Sequence, residues 1–142
     1  MPQGLVQPAN AILYAGQPVV HEMEVKTATN MYPGRFVIND TAEYDVKIAG
    51  AASALVLGVL DVEPNELRST IYGAGDQARV LSGDIVVMAQ AASGSTIAVG
   101  TKLITAANGM VSEGSTAGQV VGYALQAKTG DDNEWILVKL TI

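Results

Sequence analysis

The chain has no cysteine in its 142 residues, so disulfides, thiolate metal sites and a Cys nucleophile are all excluded. Aromatic residues make up only 5%, with one Trp and one Phe, too few and too scattered for a base-stacking platform. Positive charge is thin as well. Eight Lys and Arg stand against 14 Asp and Glu, a net charge of -6, and no basic cluster interrupts that balance to track phosphates. Direct nucleic-acid binding is therefore not expected. Long apolar runs are missing too: the longest, Ala49 to Leu60, is broken by Gly50, Ser53 and Gly58 and is too short to span a bilayer. The first ten residues carry neither the basic start nor the apolar run of a signal peptide. The expectation is a soluble protein made in the cytoplasm, with no membrane partner.

Apolar residues nevertheless reach 49%, supplied mainly by Val, Ile, Leu and Ala. A chain of this length can bury about two-thirds of its unfolded surface, so one domain folds without metal or disulfide. The pattern is that of strands. From Pro18, Val19, His21, Met23 and Val25 alternate with Val20, Glu22, Glu24 and Lys26, the period of a half-buried strand. Met31-Tyr32-Pro33-Gly34 turns the chain into a strand over Arg35 to Asn39, and Tyr44, Val46 and Ile48 share a face after the turn at Asn39-Asp40-Thr41. The stretch Ala49 to Leu60 is ambiguous, Ala favouring helix and Leu55-Val56-Leu57 favouring strand; a strand over Leu55 to Val62 is the chosen reading. Asp61 to Asp76 reads as a connector with room for one helical turn. Further strands are expected over Ala78 to Leu81, Ile85 to Ala89, Lys102 to Thr105, Met110 to Val111, Gln119 to Gln126 and Glu134 to Ile142. The fold class is all-β with little helix, a compact barrel or sandwich of short Gly-punctuated strands.

A faint repeat runs through these strands. Pro33 to Val37, then Val46 and Ile48, then Val56 to Leu60 resemble Val99 to Leu103, then Met110-Val111, then Val120 to Leu125. Paired glycines, Gly34 with Gly58 and Gly100 with Gly122, mark the two copies. One supersecondary unit used twice accounts for both.

Residues 1–17 stand apart. Pro2, Gly4, Pro8 and Gly16 loosen this stretch, yet Leu5, Val6, Ile12, Leu13 and Tyr14 are more apolar than a plain flexible tail carries. It reads either as a frayed terminus or first strand, or as an extended arm that becomes ordered on a neighbour. The division adopted is an N-terminal arm over 1–17 and a β-rich body over 18–142.

Catalytic chemistry is hard to assemble. His21 is the single histidine and sits in an alternating strand, where simple packing or exposure accounts for it. No Gly-x-Ser-x-Gly elbow supports a hydrolase. Asp131-Asp132 and Glu134 could hold a hard cation, but a solvated acidic turn is the simpler account, and Gly73-Ala74-Gly75 lacks the rest of a phosphate loop. Trp135 is expected to pack near the start of the last strand. The strands around Gly83-Asp84-Ile85-Val86-Val87 are similar to biotinyl and lipoyl carrier domains, but the nearest candidate for their modified lysine, Lys26 in Met23-Glu24-Val25-Lys26, ends a strand without the flanking pair. No enzyme activity, cofactor or metal is expected.

Gly83 to Val87, Ala98 to Leu103, Gly118 to Leu125 and Trp135 to Leu140, with Pro33 to Val37 and Val56 to Val59 earlier, resemble the capsid decoration, or cement, proteins of tailed bacteriophages. The likeness covers residues 18–142. It implies a β-rich protomer forming homotrimers on the outer surface of an icosahedral head, where major capsid protein subunits meet, and bracing the shell against packaged DNA. It also implies a virion location, neighbouring decoration subunits as partners, and neither activity nor cofactor. The arm lies outside the likeness; on physical grounds Leu5, Val6, Pro8, Ile12, Leu13 and Tyr14 are the residues expected to lie on capsid protein or on an adjacent subunit. A tail, fibre or baseplate component is the rival among assembly proteins, and a carrier domain or a cryptic hydrolase among other classes.

Overall fold

The computed structural model describes residues 11–63, 66–114, 116–129 and 134–142. Among the described residues, eleven strands form two sheets and the sole helical element is one 3-10 turn at Ala107–Gly109. The fold is nearly all-β, as the strand pattern predicts. Five strands close a small barrel in the order β2-β4-β3-β5-β6: β2 Val19–Val25, β3 Phe36–Asn39, β4 Asp45–Ile48, β5 Gly58–Leu60 and β6 Gln77–Ser82. The other six form a sheet in the order β1-β7-β11-β10-β8-β9: β1 Leu13–Ala15, β7 Val86–Gln90, β8 Lys102–Thr105, β9 Val111–Glu113, β10 Gly122–Ala124 and β11 Trp135–Leu140.

Apart from β1, the two sheets are the same unit built twice. In the first, β3 pairs with both β4 and β5, β5 with β6, and β6 with β2. In the second, β8 pairs with both β9 and β10, β10 with β11, and β11 with β7. The registers match residue by residue: Val37 faces Gly58 and Ile48, while Leu103 faces Gly122 and Glu113. Even the seam repeats. A parallel pairing of Val25 with Val46 closes the barrel, and one parallel bridge between Ala91 and Val111 stands at the same place in the second unit. Gly34 donates to Leu60 O at 2.8 Å, and Gly100 donates to Ala124 O at 2.7 Å.

The interiors match as well. Val25, Met31, Val37, Val46, Leu60, Ala78 and Val80 fill the barrel, and Ala91, Ile97, Leu103, Val111, Ala124, Ile136 and Val138 occupy the corresponding buried positions of the second unit. Alternation along each strand turns the neighbours of these residues the other way. On the barrel, Phe36, Val59 and Leu81 therefore point outward, yet they are buried, because that wall joins the larger cluster shared with the second unit. This explains why the stretch near residue 58 shows no polar alternation: Gly58–Leu60 is buried on both faces, which erases the period-two signal. It also shortens β5 relative to the strand expected over Leu55 to Val62, since Leu55 is exposed and Val62 leaves the ladder. Beyond Leu60 the connector forms no helix among its described residues.

Candidate interaction surface

The buried polar groups are engaged in holding the fold. Asp45 is fully buried, but its carboxylate accepts from the backbone N–H groups of Thr41 and Ala42 at 3.0 Å and from the Asn39 side chain, so it staples the turn before β4. Thr105 accepts from Ser53 N–H at 3.0 Å and donates to Gly50 O at 2.8 Å, tying the loop after β4 to β8. Lys128 is also buried, its ammonium donating to Ser95 O at 2.8 Å; one isolated lysine offered no sign of this in the sequence. Among the described residues no three His, Cys, Asp or Glu side chains converge to hold a metal ion. Asp131 and Asp132 lie outside the described residues. His21 is exposed on β2, and Lys26 is exposed beside Glu24 at 3.9 Å.

The six residues expected to meet a neighbour separate into two groups. Leu5, Val6 and Pro8 lie outside the described residues. Ile12 is fully buried in the shared core, and Leu13 and Tyr14 belong to β1, half-buried at the edge of the second sheet. Met88 donates to Ile12 O at 2.7 Å, and Leu13 and Ala15 pair with Val87 and Val86. Arg68 anchors the start of this strand, its guanidinium donating to Ala11 O at 2.6 Å while stacking on Trp135 with 4.6 Å to the ring centroid. Trp135 packs against the core, and Gly34 lies flat against its ring, where a β-carbon would not fit.

Three exposed features stand out among the described residues. The first is a cleft of about 270 Å³ lined by Tyr32, Arg35, Arg68, Ser69, Gln90 and Trp135. Two of the three arginines meet there. Arg35 stacks over Tyr32 at 4.8 Å and donates to Gln90 Oε1 at 3.2 Å. Partial burial lowers the pKa of both guanidinium groups, opposed at Arg35 by Tyr32. Tyr32 and Arg35 are close in the chain, but Arg68, Gln90 and Trp135 each come from tens of positions away, so nothing local in the sequence brings the two arginines together.

The second feature is a wall. The row Lys102, Tyr123 and Lys139 in the second unit stands where Phe36, Val59 and Leu81 stand in the barrel. The barrel's row is buried against the second unit, whereas Tyr123 is exposed and its flanking lysines reach solvent, Lys139 pairing with Asp84. The same wall is an internal joint in one unit and outer surface in the other.

The third is an edge. All of Val19 to Glu24 pairs with β6 on one side, but β4 borders only Glu24 and Val25 on the other. Val19 to Met23 therefore has no second neighbour among the described residues, and Val19 and Val20 are 50% and 40% exposed. In the second unit the matching edge of β7 is the one that β1 covers.

Comparisons with known proteins bear on what these surfaces serve. The profile of a family described as the XM1 gp53 minor capsid protein matches residues 3–140. No curated protein matches the sequence. Among solved structures, the fold is similar to that of the head fiber gp8.5 N base of bacteriophage phi29, with a TM-score of 0.59 and 16% sequence identity. The similarity covers 88% of this chain and 95% of that one.

Proposed function

Because the chain belongs to the XM1 gp53 minor capsid protein family, and is thus a structural protein of a phage head, we propose that it is a decoration, or cement, protein of that head. On this reading it docks on the outer surface of the mature shell as a homotrimer, touching major capsid protein and neighbouring decoration subunits, and braces the shell against packaged DNA. The observation that carries the proposal is the reach of the family match, 3–140, which makes nearly the whole chain a capsid-protein module. The surface agrees with adhesion: an open strand edge, the Lys102–Tyr123–Lys139 wall and the arginine-aromatic cleft are contact features, and the buried polar groups described above staple turns. Residues 1–10, with Leu5, Val6 and Pro8, add a segment that can reach a neighbour.

Cementing follows from linkage. A protein that binds the assembled shell and not its dissociated subunits stabilises the shell by about 2.7 kcal/mol per site when its free concentration is roughly one hundred times Kd. Repetition over the shell multiplies the effect. The test is to compare heads with and without the protein by negative-stain microscopy and by the temperature at which they release DNA, with the free protein's mass measured in solution. Bound density on the outside, a release temperature that climbs with added protein to a plateau, and a trimer mass are expected. Heads whose density and release temperature ignore the protein would refute the reading.

A second reading, that the chain seats a fibre on the head, is favoured by its likeness to the phi29 head fiber base. The same micrographs separate the two: a cement protein gives low knobs, a fibre base carries a projection.

A further inference from the structure

The matched units show one edge covered and its counterpart open. On β7, the residues whose N–H groups point away from β11 are Val86, Met88 and Gln90: Met88 donates to Ile12 O at 2.7 Å and Gln90 to Gly34 O at 3.2 Å. Position by position, β2 supplies Val20, Glu22 and Glu24. Glu24 donates away from β6, to Tyr44 O at 2.8 Å, and the alternation of an antiparallel ladder directs the N–H and C=O of Val20 and Glu22 the same way. Those groups face an edge with no strand beside it among the described residues. Val19 to Met23 contains no Lys and no Pro, the residues that usually guard such an edge.

The occupant is suggested by the chain itself. Pro2 and Pro8 have no N–H to give to a ladder, and between them lies the five-residue stretch Gln3 to Gln7, matching the five open positions Val19 to Met23. It carries the apolar pair Leu5-Val6, as the segment that covers β7 carries Ile12-Leu13. It has no acidic residue, so it meets the Glu22 and Glu24 side chains without repulsion. Its own copy is poorly placed to use it. Ile12 abuts Gly34 just before β3, and β3 is not a neighbour of β2 in the barrel order, while only residues 8–10 link the stretch to Ala11. From Gln7 to Ala11 is four residue steps, which span about 14 Å at most.

We propose that residues 3–7 of a second copy add as a strand to the open edge of β2, so that the copies of this chain are tied by exchanged N-terminal segments. The inference rests on the adhesion reading for its setting and names the acceptor site within it. Each subunit then carries one donor and one acceptor, a heterologous contact that closes when copies form a ring.

The chain has no cysteine, so an engineered pair reports without background. His21 is exposed, and its N–H serves β6; opposite an added strand it occupies a non-hydrogen-bonded position, where Cα atoms come within disulfide range. H21C is combined in turn with L5C, V6C and Q7C, oxidised at low concentration and run on a non-reducing gel. At least one pair is expected to give covalent dimers and higher species that vanish on reduction. Adding V20P, which removes an outward N–H and no bond to β6, is expected to abolish them while the circular dichroism spectrum is unchanged. Monomers in every pair, whether unlinked or internally looped, would overturn the proposal, as would full linkage in the V20P background. Head binding is scored separately on the unmodified protein. Decorated heads without exchange between copies would sink this inference alone, and exchange without decoration would sink the adhesion reading alone.

Discussion

Gly58 and Gly122 stand at matched positions of the two units, and each lies against the backbone of the next strand. A β-carbon at Gly58 would strike Leu81 O and Val80, and one at Gly122 would strike Lys139 O and Val138. Neither carbonyl can swing aside without breaking the ladder that holds it. Gly58→Ala and Gly122→Ala are therefore each expected to cost about 2 kcal/mol, the usual penalty of forced overpacking, in urea unfolding. Gly50→Ala, where the added carbon meets nothing within 4 Å, should change stability by no more than about 0.5 kcal/mol. These glycines were legible in the sequence as a spaced pair, because a steric requirement leaves a residue of one type at a fixed place. The arginine cleft was not, since stacking between Arg68 and Trp135 depends on how distant segments come to lie together.

Among the elements, β1 is the one whose role the sequence left open between first strand and clinging arm. Its residues Leu13 to Ala15 are too few to show a period, and their pairing with β7 is decided by an edge more than seventy residues away. The energetic weight of this strand lies in Ile12, which is fully buried. Deleting residues 1–9 should leave the melting transition of the body near its original position. Deleting 1–15 removes Ile12 and uncovers β7, and should destabilise the fold by about 2–5 kcal/mol in the same assay. Equal stability of the two truncated proteins would show that β1 contributes nothing to the body. By contrast, β2, β8 and β11 were readable over nearly their full lengths, β11 because its buried residues alternate cleanly and β8 because turns bracket it. β5 was overdrawn because a strand buried on both faces has no polar beat to mark its ends.

Across the whole molecule, the wall of Phe36, Val59 and Leu81 commits the barrel to the second unit. Separating the units would expose all three side chains together with their partners, so neither is expected to survive alone. Fluorescence of Trp135, which sits on β11 against Gly34 and Arg68 and so reports the joint, and far-ultraviolet circular dichroism, which reports both units, should trace one coincident urea transition. Two separated transitions would show that the shared cluster does not couple the halves. The duplication itself was visible in outline through recurring Gly and Val residues. Its asymmetry, one edge covered and one open, appears only when the pairings are laid side by side.

β1 also decides how the molecule bears load. The strand lies lengthwise beside β7, held by its ladder bonds, by the grip of Arg68 on Ala11 O and by the seat of Ile12 in the core. A pull along the strand axis from its Ala11 end loads those attachments in shear, together, instead of peeling them off singly. Force applied along the strand is thereby spread over a whole segment, as a lap joint spreads it, and the strand yields only when the entire seam gives way.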